Sequence, residues 1–498
     1  MRLIAGLCNL ELAINLFCCI EIFAERSWNM NGHLKRIYLF LFFSVCLGSL
    51  LAQPLSDSTA RLPLPSEHGF WGISVRDVST GVELGSLNSA LSFTPASVQK
   101  LLTTAAAFSL LGPDFCFKTR FFLSKSGNDT YLVVDGGWDP TLGSTLFKGH
   151  FPSDLMKALS SFLAVHRVDS LAGMYVLPHP TSTDIIPDGW PWVDLGNYYG
   201  APISKLSYNQ NKIDLTFCSE APGSSVTLIS VNPPQSDVEW KHEVTADSKN
   251  LGDRVFIYGG PQQLLREAKG GLPPFRKEFT VKGSVAQPQN SALEQLRLGL
   301  WAKGIKGLYE LGVAPQEMDL DSNSAAFIWK SPPLSALCSY INHYSHNIMA
   351  EHMLVAIGQG NYASGLEAVR TWLAQLQNNP SLFYDDGSGL SRSNGISPAL
   401  LTLYLSRFSQ EPWAKDWMAG IPVSGESGTL INFSSPGLKS KFQGKSGTLS
   451  QVKAYAGFLK AKSGRTLSVA VFVNRLPTSA PSPKPILLKT LEEIQRQY

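Results

Sequence analysis

Apolar and polar positions change rhythm several times along this chain. Gly72–Val78 alternates with a period of two, Ser79-Thr80-Gly81 supplies turn residues, and Val82-Glu83-Leu84 returns, which predicts a hairpin over residues 69–87. Val98, Leu101, Leu102, Ala105 and Phe108 then follow helical spacing. Thr94 as N-cap, Pro95 in the first turn and Gly112-Pro113 as the stop bound a helix that runs to Leu111. From Phe115 to Asn290 short β-like runs dominate: Tyr131–Val134, Ile213–Phe217, Ser225–Ile229 and Arg254–Tyr258, separated by turn clusters such as Gly136–Pro140 and Asn232–Pro234. This stretch, residues 115–290, predicts a β-rich insertion of one or two small domains. After Ser291 helical patterns return, with Leu293–Lys303 and His346–Ile357 read as amphipathic. Val452–Leu459 and Thr466–Val473 alternate as strands, and Ile486–Tyr498 makes a final helix. Strands at both ends with helices between predict one discontinuous α/β domain, residues 53–114 and 291–498, closed by pairing of its terminal strands.

The first 52 residues read as a targeting segment rather than as part of the fold. Leu3–Phe23 is broken by Asn9, Glu11, Asn15 and Glu21, each costly in a bilayer core. After Met30 come His33, Lys35 and Arg36, an apolar run from Ile37 to Phe43 extended by Cys46, Leu47, Leu50 and Leu51, and the small Ala52. A basic start, a short apolar core and a small residue form a secretory signal, with Met30 as the start and 1–29 as an upstream extension. Leu50 in place of a small partner for Ala52 leaves a retained membrane anchor as the alternative. The expectation is export to the periplasm or cell envelope.

Composition narrows the function. Among 498 residues, 44% are hydrophobic and 16% charged, so neither a disordered chain nor a charged coiled coil fits. The length allows about two to four domains. Lys+Arg 42 against Asp+Glu 39 gives a net charge of +3, and no Lys/Arg run exceeds two, so no footprint for nucleic acid exists. Four of the seven cysteines fall in the targeting segment; Cys116, Cys218 and Cys338 are widely spaced and form no Cys-x-x-Cys.

Three short elements could carry chemistry. Ser97 and Lys100, three residues apart at the predicted helix start, share a face with Cβ atoms about 5–6 Å apart. A serine hydroxyl needs a base to become a nucleophile, and a lysine is a base only when burial or another cation lowers its pKa. The pair therefore has meaning only in a closed pocket; the plain alternative is an exposed helix face. Ser345 and Asn347 stand two apart before a helix, where the plain reading is capping. The functional one makes Ser345 a proton relay and Asn347 an amide that orients a substrate backbone. Lys445-Ser446-Gly447-Thr448 leads into the C-terminal strand pair and offers a cation for a carboxylate, a hydroxyl and an edge for an extended peptide. A phosphate loop fails here: six residues separate Gly437 from Gly444, and strands follow. His343, His346, His352 and Glu351 form no His-Glu-x-x-His, and Asp385/Asp386 lie in a turn-rich block where loop fixing is the simpler role.

Ser-x-x-Lys, Ser-Asp-Asn and Lys-Thr-Gly form the motif set of penicillin-binding proteins and serine β-lactamases. All three positions occur here in that order, with His346 for Asp and Ser446 for Thr. Gly137–Leu142, Gly189-Trp190-Pro191-Trp192, Tyr198–Pro202, Asp386–Arg392 and Ser427–Leu430 sharpen the likeness. Over residues 65–495 the chain resembles the D-alanyl-D-alanine carboxypeptidase/endopeptidase family, the class C low-molecular-mass penicillin-binding proteins. The resemblance implies an α/β serine β-lactamase/DD-peptidase-like domain, an antiparallel sheet flanked by helices, discontinuous and carrying β-rich inserts. It implies peptidoglycan stem peptides as substrates, β-lactams as inhibitors and no cofactor. Ser97 would attack the carbonyl between two D-alanines, Lys100 would take its proton and Ser345 would pass it to the leaving amine. Lys445 and Ser446 would hold the terminal carboxylate, with Asn347 and Gly447 lining the groove, and the backbone N–H groups of Ser97 and Thr448 would form the oxyanion hole. Arg392 is the carried-over candidate for a second substrate carboxylate. The acidic residue that the family places ahead of the Gly-Trp-Pro-Trp block has no counterpart in Val176–Thr181. Rival readings are a non-catalytic peptidoglycan-binding or β-lactam-sensing protein, and a β-lactamase.

Overall fold

The computed structural model describes residues 60–178, 184–315, 326–377 and 382–498. The expected targeting segment, and His179–Thr181 of the stretch just named, lie outside them. Arg61–Tyr498 forms one unit, and no helix of the described residues is long and apolar enough to cross a membrane.

Terminal strands pair as the alternation predicts. Strands β1 (Phe70–Asp77) and β2 (Glu83–Leu87) form the N-terminal hairpin. The Asp77 carboxylate makes its turn by accepting the Ser79 and Thr80 amides at 2.8 and 3.1 Å. Strands β3 (Phe442–Leu449), β4 (Val452–Lys460) and β5 (Thr466–Asn474) come from the C-terminal end. The order across the sheet is β2-β1-β5-β4-β3, each of these pairs antiparallel, with the two-residue strand Ala60–Arg61 beside β2 as the sixth member, so β3 is an edge strand. Central β5 is buried on both faces. Leu467, Val469, Val471 and Val473 pack with Leu487, Leu491 and Ile494 of the C-terminal helix Lys484–Gln497. Ala470 and Phe472 face the helical side, so the period of two is a period of two different cores.

The helical side holds α1 (Lys100–Leu111), α2 (Leu334–Tyr344), α3 (Asn347–Ile357) and α4 (Pro398–Phe408). Two expectations change here. The helix does not begin at Thr94: the backbone of Thr94 is bridged by the Asn474 side chain, at 2.8 and 3.2 Å, which ties it to the end of β5. A single 3₁₀ turn, Ala96–Gln99, follows, and the α-helix starts at Lys100. Nor are α1 and α3 amphipathic. Lys100–Phe108 and Ile348–Val355 are buried all round. The polar members are satisfied inside: Thr103 Oγ1 donates to the Gly387 carbonyl at 2.6 Å, and Trp417 donates to Thr104 Oγ1 at 3.0 Å.

Between α1 and α2 lie two further cores. One is a five-stranded sheet in the order 306–313, 170–176, 129–135, 118–126, 326–330, with parallel and antiparallel pairs. Helices Pro152–Val165 and Pro288–Trp301 cover it through Leu155, Leu159, Ala292, Leu293 and Leu296. The stretch is therefore α/β here rather than β-rich. The expected boundary at residue 290 also falls inside this unit, because residues 306–313 and 326–330 pair with strands upstream of it. The second core is a sandwich of two three-stranded sheets sharing Ile213, Leu215, Phe217, Val244, Ile257 and Val281. Cys116, Cys218 and Cys338 are free thiols.

Phe408 of α4 is fully buried, stacked on Trp372 and Tyr404 at ring separations of 5.2 and 6.0 Å and met edge-on by Trp417. Phe408→Ala should lower stability by about 3–5 kcal/mol, the range for a buried ring replaced by a void, read as a fall in melting temperature.

Candidate active site

Ser97 sits within the 3₁₀ turn and Lys100 opens α1. The Lys100 side chain has no solvent exposure. Its Nζ donates to Ser97 Oγ at 3.0 Å, to Asn347 Oδ1 at 2.7 Å and to the Ser388 carbonyl at 2.5 Å. Burial pulls its pKa down to about 7, against the opposing pull of Asp386 and then Glu351. The exposed-face alternative for this pair is thus excluded. A neutral amine here would keep two N–H bonds, to Asn347 and Ser388, and turn its lone pair to the serine hydroxyl.

The second motif is built by a helix junction. Ser345 ends α2 in a left-handed conformation, φ 59° and ψ 40°. His346, not Ser345 or Asn347, caps α3: its Nδ1 accepts the Met349 amide at 3.4 Å. That acceptor role needs a neutral ring, and burial, then the charge of Lys100, pushes the imidazole down to about 3. With capping done by His346, Asn347 is free to bridge. Its Oδ1 takes Lys100 and its Nδ2 donates to the Tyr199 carbonyl at 2.9 Å. Ser345 is half-buried beside it, and is not one of the three groups that Lys100 touches.

The third motif lies on edge strand β3. A Cβ on Gly447 would come within 2.6 Å of the Pro95 carbonyl and 3.2 Å of the Ser97 nitrogen, so only glycine lets the strand lie this close to the serine. Lys445 is fully buried and donates to the Ser446 carbonyl at 2.9 Å. Burial first, then the nearby Lys100, holds its pKa well below the ordinary lysine value. Ser446 is half-buried, and exposed Thr448 accepts from Lys453 at 2.5 Å. Arg392 stands apart from the serine, on the exposed rim, and donates to the Ser450 carbonyl at 3.3 Å.

Residues outside the three motifs also build the site. Asp386 accepts from the Gly389 and Ser391 amides at 2.6 and 2.7 Å and from Trp190 at 2.8 Å. It is the loop-fixing residue the turn-rich block suggested, and the loop it fixes brings the Ser388 carbonyl to Lys100. Glu351, fully buried on α3, accepts the Gly387 and Ser388 amides. Its signal was a lone carboxylate amid apolar residues four positions after Asn347. An acidic residue stands just after the Gly-Trp-Pro-Trp block. Asp194 accepts from the Tyr199 hydroxyl at 3.2 Å, and the charge of Arg392 acts on it. The histidines are engaged locally: His343 Nδ1 with the Ser339 carbonyl and His352 Nδ1 with that of Ile348.

The model of the D-Ala-D-Ala carboxypeptidase 3 (S13) family matches residues 52–493. The chain belongs to this family. It is 26% identical over 446 residues to the D-alanyl-D-alanine carboxypeptidase of Actinomadura sp. (strain R39), covering 84% of this chain and 80% of that protein. A D-alanyl-D-alanine carboxypeptidase of Haemophilus influenzae is 25% identical over 445 residues, 85% of this chain and 88% of its own. The crystal structure of penicillin binding protein 4 from that organism superposes with a TM-score of 0.71 at 22% identity, covering 86% and 96% of the two chains. The fold is thus the S13 fold, α/β with an antiparallel sheet flanked by helices.

The closeness of β3 to the serine yields a prediction. Gly447→Ala must move either the strand or the Ser97 turn by several tenths of an ångström. A misplacement of this order should slow acylation of Ser97 by a penicillin by about 10- to 100-fold, with a melting temperature near that of the parent.

Proposed function

We propose that this S13 protein is a serine D-alanyl-D-alanine carboxypeptidase that also serves as an endopeptidase on peptidoglycan stem peptides and is acylated by penicillin. The observation that carries the reading is the buried Lys100 amine, held between Ser97 Oγ and Asn347 Oδ1. Neutral Lys100 accepts the Ser97 proton as Oγ forms a bond to the carbonyl carbon of the penultimate D-alanine. The tetrahedral oxyanion is met by the backbone N–H groups of Ser97 and Thr448. It collapses as the C–N bond breaks, and the proton travels through Ser345 to the leaving D-alanine nitrogen. Water then attacks the ester, its proton returns to Ser97, and the shortened peptide leaves as a carboxylate. Lys445 and Ser446 receive the terminal carboxylate. That anion would relieve the mutual repulsion of two buried lysines, which favours a substrate with a free C-terminus. Asn347 orients the peptide, and the outer side of β3 beyond its bridge to residues 422–424 offers backbone groups to an extended chain. Arg392 and Asp194 flank the rim as charge partners for the stem peptide's side-chain terminus.

Export and removal of a signal in residues 1–52 belong to the same reading, as does a catalytic region split around inserts. Its substrate, peptidoglycan, lies in the cell envelope.

Fluorescent penicillin should add covalently to the tryptic peptide containing Ser97, and Ser97→Ala should abolish the label. Label persisting in the mutant overturns the assignment, and rapid release of penicillin by the parent would mark a β-lactamase instead. The lysine gives a pH test. Only its neutral form accepts the proton, so acylation should rise with pH through about 7. Lys100→Arg, which cannot release its proton in this range, should abolish that limb in stopped-flow while the fold survives. Arg392→Ala should lower kcat/KM about 10- to 150-fold for a peptide bearing a side-chain carboxylate, as expected for one charge-assisted bond. A small thioester lacking that group should be hydrolysed as before. Equal losses on both would make Arg392 a loop brace.

A further inference from the structure

Glu351 is a fully buried carboxylate that the mechanism above does not use. It lies on α3 one turn after Asn347, yet its contacts are on the opposite wall of Lys100. Oε1 accepts the Ser388 amide at 2.8 Å; Oε2 accepts the Gly387 amide at 2.9 Å and the Tyr362 hydroxyl at 2.8 Å. The carbonyl of that same Ser388 receives Lys100 Nζ at 2.5 Å. One residue of backbone therefore links the carboxylate to the amine: its N–H is gripped by Glu351 and its C=O grips Lys100.

We propose that Glu351 is a positioning residue for proton abstraction: it clamps the Gly387-Ser388 backbone so that the Ser388 carbonyl and Asn347 Oδ1 take the two N–H bonds of neutral Lys100 and leave its lone pair on Ser97. The inference rests on the reading of Lys100 as the base. The groups facing the amine are Glu351 and His346 from α3, Asp386 from the 385–391 loop, and Lys445 from β3. Asp386 and Glu351 are the two whose negative charge favours the ammonium, and His346 and Lys445 oppose it. Glu351 itself is pushed up to about 8 by burial, then by Asp386, with the Ser388, Gly387 and Tyr362 bonds pulling the other way. Its three accepted hydrogen bonds, from Ser388, Gly387 and Tyr362, are those of an ionised carboxylate.

Both parts of the role have a signed outcome. Glu351→Gln keeps the size but has one acceptor oxygen for two amides, and its NH₂ group opposes the second. The Ser388 carbonyl loosens and the charge is gone, and both changes disfavour the ammonium. The rising limb of penicillin acylation should move to lower pH by about one unit, and the plateau should fall at least about tenfold. Glu351→Asp keeps the charge but is one methylene short of gripping both amides, so its plateau should fall while the limb stays within a few tenths of the parent's. The experiment is stopped-flow acylation of the full chain and both variants by a fluorescent penicillin across about pH 5 to 9, with active sites counted by end-point labelling. A limb unmoved in Glu351→Gln with a reduced active fraction shows a merely structural residue and overturns the proposal. So does a full plateau in Glu351→Asp, which decides the clamp even if the Gln variant fails to fold. A parent enzyme with no Ser97 label, or with no limb near 7, overturns the reading of the base instead.

Discussion

The architecture of this protein is organised around one buried amine. An ammonium withdrawn from water costs several kcal/mol unless acceptors replace its hydration shell. Lys100 finds three, and each comes from a different part of the chain: Ser97 from its own turn, Asn347 from the start of α3, and Ser388 from the 385–391 loop. Nearly 300 residues separate the first from the last. Their convergence is possible only because α1 is buried on every side, so that each face of the helix start meets a neighbour. The same burial gives the lysine a pKa near neutrality. Stability and chemistry therefore make opposite demands on one group: the acceptors that make its burial tolerable also favour the protonated form that cannot act as a base. A pKa pulled down to about 7 is low enough to release a proton and high enough to hold one.

The edge strand adds a second constraint. Bringing Lys445 into the same closed space places two buried amines within electrostatic reach, and burial together with the charge of Lys100 drives Lys445 toward neutrality. The strand must also pass against the Pro95–Ser97 backbone, which is why position 447 has no side chain. The sheet meets this demand by its order: β3 is ladder-paired with β4, its other margin is bridged by residues 422–424 only as far as Gly444, and the Lys445–Leu449 half borders the cleft. Neighbouring Gly444 and Gly457, opposite each other in that pairing, keep the backbones close there.

Much of this was legible in one dimension. Ser97/Lys100, Ser345/Asn347 and Lys445–Gly447 are short spacings on single elements, and alternation identified β1 and β5 although nearly 400 residues lie between them. What escaped depends on partners remote in sequence. Thr94 has every mark of an N-cap, but Asn474 claims its backbone first. Nothing local to Thr103 and Thr104 announces Gly387 and Trp417 as the partners that satisfy them. His346 looked like a mere substitution in a motif, yet its ring nitrogen does the capping that frees the Asn347 side chain. Residues 306–313 and 326–330 carry strand patterns that the sequence does not assign to a sheet, because their register is set by strands at 170–176 and 118–126.

The residues between α1 and α2 are not passengers in this arrangement. Asn347 is fixed on its far side by the Tyr199 carbonyl, so the catalytic amide is only as well placed as the Trp192–Tyr199 segment. That segment is bolted to the two-sheet sandwich. Asn197, buried, donates to the Val193 carbonyl at 2.8 Å and accepts from the Ile257 amide at 3.1 Å, while Ser284 donates to the Leu195 carbonyl at 2.7 Å and to that of Gly196 at 2.9 Å. Ile257 is itself fully buried in the sandwich core. Side chains at Gly196 and Gly200 would collide with the Ile257 and Asp194 carbonyls, so the segment lies against its support at backbone contact. A functional loop is precise to the degree that a rigid element holds it. Here that element is a separate hydrophobic core; hydrogen bonds tie it to Asn197, two residues of backbone lead on to Tyr199, and hydrogen bonds continue through Asn347 to the amine that activates the serine.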